Sequence, residues 1–127
     1  MKIPLDTREF LYLISADPKL SSRALSAILD PQNSVFLSAV SFWEISVKHG
    51  LGKLVLPEPP SEFVPKQREL HRIESLPLDE LSVAKLSGLP AIHRDPFDRM
   101  LICQALAHGL TLESSDPFIH QYPVTIL

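Results

Sequence analysis

Residues 93–117 read HRDPFDRMLICQALAHGLTLESSDP. Two aspartates three positions apart, Asp95 and Asp98, head an almost wholly apolar run. Gly109 ends that run, and a second apolar stretch, LTLES, is closed by Ser115 and Asp116. Asp95 followed by Pro96 is a helix-start signal, because a side-chain acceptor serves the first free N–H groups and a proline at the first helical position loses nothing by lacking one. The helix should run to His108 with Gly109 as terminator, and LTLES should be a strand. Carboxylates thus stand at both ends of segments bound for the core, where an ionised carboxylate is costly to bury.

The rest of the chain repeats the alternation. KIPL at 2–5 is a short strand ending at Asp6, and Thr7 is placed to cap the helix FLYLIS. A second helix runs from about Ser21 to Leu29, ending at the Asp30-Pro31 turn. SVFL at 34–37 is a strand, and Ser38 caps AVSFWEISVKHG, with Gly50 as the expected terminator. SEFVPKQREL reads as helix despite Pro65, RIESLPL as a third strand, DELSVAKLSGL as a short helix, and VTIL as a fifth strand. Strands alternating with helices at this spacing predict an α/β fold: a mostly parallel sheet of four to five strands with helices on both faces. Sites in such sheets form beyond the carboxyl ends of the strands.

The 127 residues suit one domain, and 45% hydrophobic against 21% charged residues gives no support to disorder. No apolar run approaches the roughly 18 residues needed to span a bilayer, and the first residues lack a long apolar segment, so a cytoplasmic protein is expected. Cys103 is the only cysteine, which excludes an internal disulfide or a cysteine-based metal cluster. A net charge of −3 excludes a general electrostatic grip on nucleic acid, so any such contact must be local.

Asp6 follows the first strand and Asp116 the fourth, which puts both at one edge of the sheet. Asp98 lies in the opening turn of the helix leading into the fourth strand, and Glu44 lies two turns into a helix that begins at the end of the second. Each has a plain structural role available: Asp6 and Asp95 as caps, Asp98 as a helix-dipole partner, Asp116 as a turn residue, Glu44 as an i, i+4 partner of Lys48. Four carboxylates at one edge would repel one another strongly, and a divalent cation would relieve that repulsion. Oxygen ligands without cysteine suit Mg²⁺ or Mn²⁺, which supply the chemistry of phosphodiester hydrolysis. Lys48, His49, Lys53, His93, Arg94 and Arg99 flank the acids and are candidates for a phosphate-facing rim, with Arg94 and Arg99 foremost. His93 and His49 are candidate metal ligands or bases but read better as neutral hydrogen-bonding groups, and Trp43 reads as core rather than a base-stacking platform.

LDT at 5–7, SAVSFWEISVKHGLGKL at 38–54, HRDPFDRMLICQA at 93–105 and TLESSDP at 111–117 together resemble the PIN-domain ribonucleases of the VapC toxin type, and within them a subgroup with a DPFDR signature. The likeness runs from residue 3 to the C-terminus. It implies a single PIN domain over residues 1–127, built as a three-layer α/β/α sandwich. It also implies a metal-dependent endoribonuclease using Mg²⁺ or Mn²⁺, inhibited by a VapB-type antitoxin and homodimeric. Carried over by position, Asp6, Glu44, Asp98 and Asp116 are the catalytic acids and metal ligands, with Asp95 as a supporting acid or cap. Arg8, Lys48, Arg94 and Arg99 are then the phosphate-binding residues. Two departures stand out: Arg8 replaces the subgroup's usual histidine, and Glu113, Ser114 and Ser115 replace the usual apolar residues and threonine before the fourth acid. Two competing readings are a non-catalytic protein-interaction module, in which the acids are caps, and a DNA-directed or structure-specific nuclease on the same fold.

Overall fold

A computed structural model describes residues 1–127. Five strands alternate with six helices: β1 (Lys2–Pro4), α1 (Thr7–Ile14), α2 (Ser22–Leu29), β2 (Ser34–Ser38), α3 (Ala39–Gly50), α4 (Pro60–Leu70), β3 (Glu74–Leu76), α5 (Glu80–Ala84), α6 (Pro96–His108), β4 (Thr111–Leu112) and β5 (Thr125–Ile126). β1, β2 and β3 form one parallel set, and β4 pairs in parallel with β5. A parallel bridge between Leu5 and Glu113 joins the two sets. Glu113 N–H donates to Pro4 O at 3.0 Å and Asp6 N–H to Glu113 O at 2.9 Å. The strand order is therefore β3-β2-β1-β4-β5, parallel at every pairing rather than mostly so.

This order positions the site. The chain moves outward from β1 to β2 to β3, then crosses back to lay β4 on the other side of β1. Right-handed crossovers in opposite directions put the two groups of helices on opposite faces. The order reverses between β1 and β4, and the crevice beyond the carboxyl ends of strands at such a reversal is where open α/β sheets take ligands. Asp6 follows β1 and Asp116 follows β4. Two apolar clusters fix the frame: Ile3, Leu5, Phe10, Val35, Leu37, Ile45 and Val64 anchor α1, α3 and α4, while Ile102, Cys103, Leu110, Leu112 and Ile119 anchor α6.

Local signals meet different fates. Ser21 and Ser38 cap α2 and α3, accepting from Ala24 N–H and Val40 N–H, and Asp79 caps α5 by accepting from Ser82 N–H. Gly109 adopts the left-handed conformation that ends α6. Gly50, however, is the last residue of α3 rather than its terminator; Gly52, at φ +71°, takes the left-handed position. α4 runs through Pro65, held by buried Phe63 and Val64. Thr7 does not cap α1: Asp6 is at the cap position and makes no side-chain cap bond, because both side chains are engaged in the cleft.

Candidate metal centre

Asp6, Glu44 and Asp98 are all buried, at 6%, 4% and 8% exposure, yet each comes from a different element. The reason for Glu44 lies in the periodicity of α3, whose buried stripe is Val40, Ser41, Glu44 and Ile45. That stripe mixes apolar with polar residues, and it leaves Trp43 on the other side, 57% exposed and edge-on to Phe97 at 4.8 Å. Trp43 is thus not core, as its apolar neighbours had implied. A cleft of about 140 Å³ is lined by Asp6, Glu44, Asp95, Asp98 and Asp116 together with the cations Arg8, Lys48 and Lys53. A larger hollow of about 790 Å³ lies at the opposite, amino-terminal end of β2 and β3 and holds none of the four acids.

Each acid is held by named donors. Thr7 Oγ1 donates to Glu44 Oε1 at 2.7 Å and lies 2.8 Å from Ser41 Oγ, while Lys48 Nζ pairs with Glu44 Oε2. Ser114 Oγ donates to Asp6 Oδ2 at 2.8 Å and accepts from Asp116 N–H at 3.0 Å, tying the ends of β1 and β4 together. Phe118 N–H donates to Asp116 Oδ1 at 2.8 Å. Asp95 caps α6, its Oδ1 accepting from Phe97 N–H at 2.8 Å and Asp98 N–H at 3.3 Å.

The crowding is legible in the proton affinities. Burial, followed by the charges of Asp6, Asp95, Glu44 and Asp116, pushes the Asp98 carboxyl up to about 8. Burial also raises Asp6, against the hydrogen bond from Ser114. Burial alone would raise Asp116, but the His93 hydrogen bond, Phe118 N–H and the charges of His93 and Arg8 outweigh it and hold it low. Lys48 is moved down by burial and further up by Glu44, Asp95 and Asp98, so it stays charged among them.

One candidate lies deeper than the rim expected for it, and one residue escaped the sequence. His93 Nε2 lies 2.9 Å from Asp116 Oδ2 and 3.1 Å from Asp98 Oδ2, inside the acid cluster rather than on a rim. Glu9, 1% exposed, accepts from the N–H and hydroxyl of Ser115. It stands against Glu113, whose carboxyl is pushed up to about 8, first by burial and then by Glu9 and Asp6, and whose Oε2 has no partner. The departure at Glu113 thus builds a buried acid pair, with Glu9 its unforeseen half; the only sequence signal was a glutamate four residues before Leu13 on the apolar face of α1. Arg99, expected at the phosphate rim, instead donates to Pro90 O at 2.9 Å and Tyr122 Oη at 3.3 Å, because its place on α6 faces the 90–93 loop. Arg94 is exposed and does not line the cleft. His49 does not line it either.

The PIN-domain family model matches residues 3–123. The chain belongs to the PIN-domain family. Among curated proteins, this PIN domain is 36% identical over 80 residues to Ribonuclease VapC16 of Mycobacterium tuberculosis (strain ATCC 25618 / H37Rv), a match covering 61% of this chain and 55% of that protein, so about half of the relative's length is spanned. The fold is similar to that in VapBC2 from Rickettsia felis bound to a DNA fragment from their promoter, at a TM-score of 0.73 and 19% identity, covering 100% of this chain and 97% of that one. It is similar also to DNA-bound VapBC from Salmonella typhimurium, at 0.70 and 19%, covering 99% and 96%. A third likeness is VapBC-1 from nontypeable Haemophilus influenzae, at 0.64 and 21%, covering 95% and 91%. At these identities the structural likenesses establish the PIN fold and nothing finer. No helix is long and apolar enough to cross a membrane.

Proposed function

We propose that this PIN domain is a divalent-metal-dependent endoribonuclease, the toxin of a type II toxin-antitoxin system. The observation that carries the reading is the convergence of Asp6, Glu44, Asp98 and Asp116 in one cleft at the point where the strand order reverses. Buried carboxylates this crowded are unfavourable by themselves, and the Asp98 proton held up to about 8 marks a place where a cation would be favoured. The donors are oxygens, which suits Mg²⁺ or Mn²⁺, with Asp6 and Asp98 as the residues to hold the ion directly and Glu44 and Asp116 to complete its shell directly or through water. When bound, such an ion supplies Lewis acidity toward phosphate oxygens and makes water a stronger nucleophile near neutral pH.

The chain's own residues do the rest. Ser114 orients the Asp6 carboxylate, and Thr7 with Ser41 orients Glu44. Lys48 balances Glu44 from within the cleft, and Arg8 and Lys53 give its wall local positive charge for a phosphodiester, despite the negative total. Leu11, Ile45 and Leu54 form the apolar part of the wall and limit access of bulk water. Likeness to a named ribonuclease and to VapBC assemblies supports RNA as substrate and a VapB-type antitoxin as partner; a second copy of the chain and a cytoplasmic location belong to the same proposal on family resemblance alone.

The deciding experiment incubates antitoxin-free protein with RNA, single-stranded DNA and duplex DNA, in Mg²⁺, Mn²⁺ or chelator, alongside Asp98→Asn. Metal-dependent RNA cleavage lost in the variant is the expected result. Cleavage of DNA alone would move the assignment to a DNA-directed nuclease, and no cleavage with no ion binding would leave an interaction module. A neighbouring gene product that neither binds nor inhibits would remove the toxin role and leave the nuclease.

A further inference from the structure

His93 Nε2, Asp98 and Asp116 bring three potential ligand atoms within 4.8 Å of one another, which by distance alone is a His-Asp-Asp metal site. The other ring nitrogen decides against it. His93 Nδ1 lies 3.1 Å from Asp95 N–H, which donates to it. A backbone amide can only donate, so Nδ1 must offer a lone pair, and the proton of the neutral ring is then on Nε2. A histidine that binds a metal through Nε2 needs the reverse arrangement, with the lone pair on Nε2 and Nδ1–H given to an acceptor.

The ring has little freedom to exchange these roles. Asp95 is the cap residue of α6, which fixes the direction of its N–H. His93 N–H donates to Tyr122 Oη at 2.7 Å, and the ring is flanked by Phe118 at 5.5 Å. Asp116 is in turn committed on both oxygens, Oδ2 to His93 and Oδ1 to Phe118 N–H.

We propose that His93 is a positioning residue and not a ligand: its Nε2–H is given to Asp116 Oδ2 beside Asp98, which keeps Asp116 as an outer acid and leaves Asp6 and Asp98 to receive the ion directly. This rests on the reading of the acids as a metal site. It makes the site one of oxygen donors only, suited to hard ions, and gives the histidine of the HRDPFDR stretch a role that no acid can fill.

The test is the imidazole ¹⁵N spectrum of ¹⁵N-histidine protein, metal-free and with Mg²⁺, the His93 signals being assigned by their loss in His93→Gln. The Nε2–H tautomer before and after Mg²⁺ is expected. In parallel, calorimetric Mg²⁺ and Mn²⁺ affinities are compared for wild type, His93→Phe and His93→Gln. Loss of the donor in His93→Phe should weaken ion binding about 10- to 100-fold, the usual effect of removing a group that orients a ligand. The Gln amide keeps an N–H donor and should recover most of it. A switch to the Nδ1–H tautomer with metal, or equal losses in both variants, overturns the proposal alone. No ion binding by the wild type overturns the metal-site reading and the proposal with it. If His93→Phe fails to fold, the tautomer of the wild-type protein still decides.

Discussion

At Thr7 a single hydroxyl makes Glu44 tolerable in the core. Without it Glu44 Oε1 would keep only a charge relation to Lys48, so Thr7→Val, nearly equal in volume, should lose about 1–3 kcal/mol in urea unfolding, the cost of leaving a buried charged acceptor short of a donor. Thr7→Ser should lose little. Glu113 makes the opposite case. Its carboxyl, ordinarily near 4.5, is pushed up to about 8, so the native state keeps a proton that the unfolded chain has released. By linkage its contribution is intact below about pH 4.5 and declines as pH rises to about 8. Glu113→Gln keeps an uncharged group with an N–H to offer Glu9. Unfolding free energies measured at pH 5 and pH 8 should therefore differ less in this variant than in the wild type; an unchanged difference would mean that Glu113 is ionised throughout.

Among elements, the entry to α6 carries the most constraint. Asp95 caps the helix, Arg99 one turn on reaches back to Pro90 O, and Tyr122 Oη from beyond β4 receives the N–H groups of Ile92 and His93 at 3.1 and 2.7 Å. The loop that aims His93 is thus held from three directions, of which only Tyr122 is distant in sequence. Tyr122→Phe removes the shared acceptor without emptying the buried site. It should cost about 1–3 kcal/mol in unfolding, with faster hydrogen exchange concentrated at Ile92 and His93. Exchange rising evenly through the protein would instead mean that the loop is not a separate unit. At the other end of α6, Gly109 at φ +61° has open space where a Cβ would go. The penalty of Gly109→Ala is therefore conformational alone, about 1–2 kcal/mol in the same unfolding measurement.

For the whole molecule, metal-free stability should fall as pH rises from about 4 to about 8. Asp98 at about 8 and Asp6, also raised, both hold protons in the native state that the unfolded chain loses near 3.8. Their contribution is present below the unfolded value and is lost through that window. An ion that displaces those protons reverses the trend at these two residues, because binding to the native state alone adds stability that grows with ion concentration over its dissociation constant. Thermal unfolding with and without Mg²⁺ should therefore show a stabilisation that is small at pH 5 and large at pH 8. The same increment at both would separate the ion from the protonation of Asp98.

The sequence by itself determined the strand and helix alternation, because caps, terminators and apolar runs are local and each acts on its own few residues. It also determined which acids reach the sheet edge, since Asp6 and Asp116 are fixed by where β1 and β4 end. Only the tertiary structure decided the company those acids keep. Glu9 meets Glu113 and Ser115 across more than a hundred residues, Arg99 turns to a loop rather than to the cleft, and Trp43 faces outward because α3 buries a stripe containing Ser41 and Glu44. His93 lies between Asp98 and Asp116 because Tyr122 and the α6 cap aim it there. Those outcomes depend on partners brought together by the reversal of strand order, and a hydrogen bond between distant residues leaves no periodic trace in either of the segments that make it.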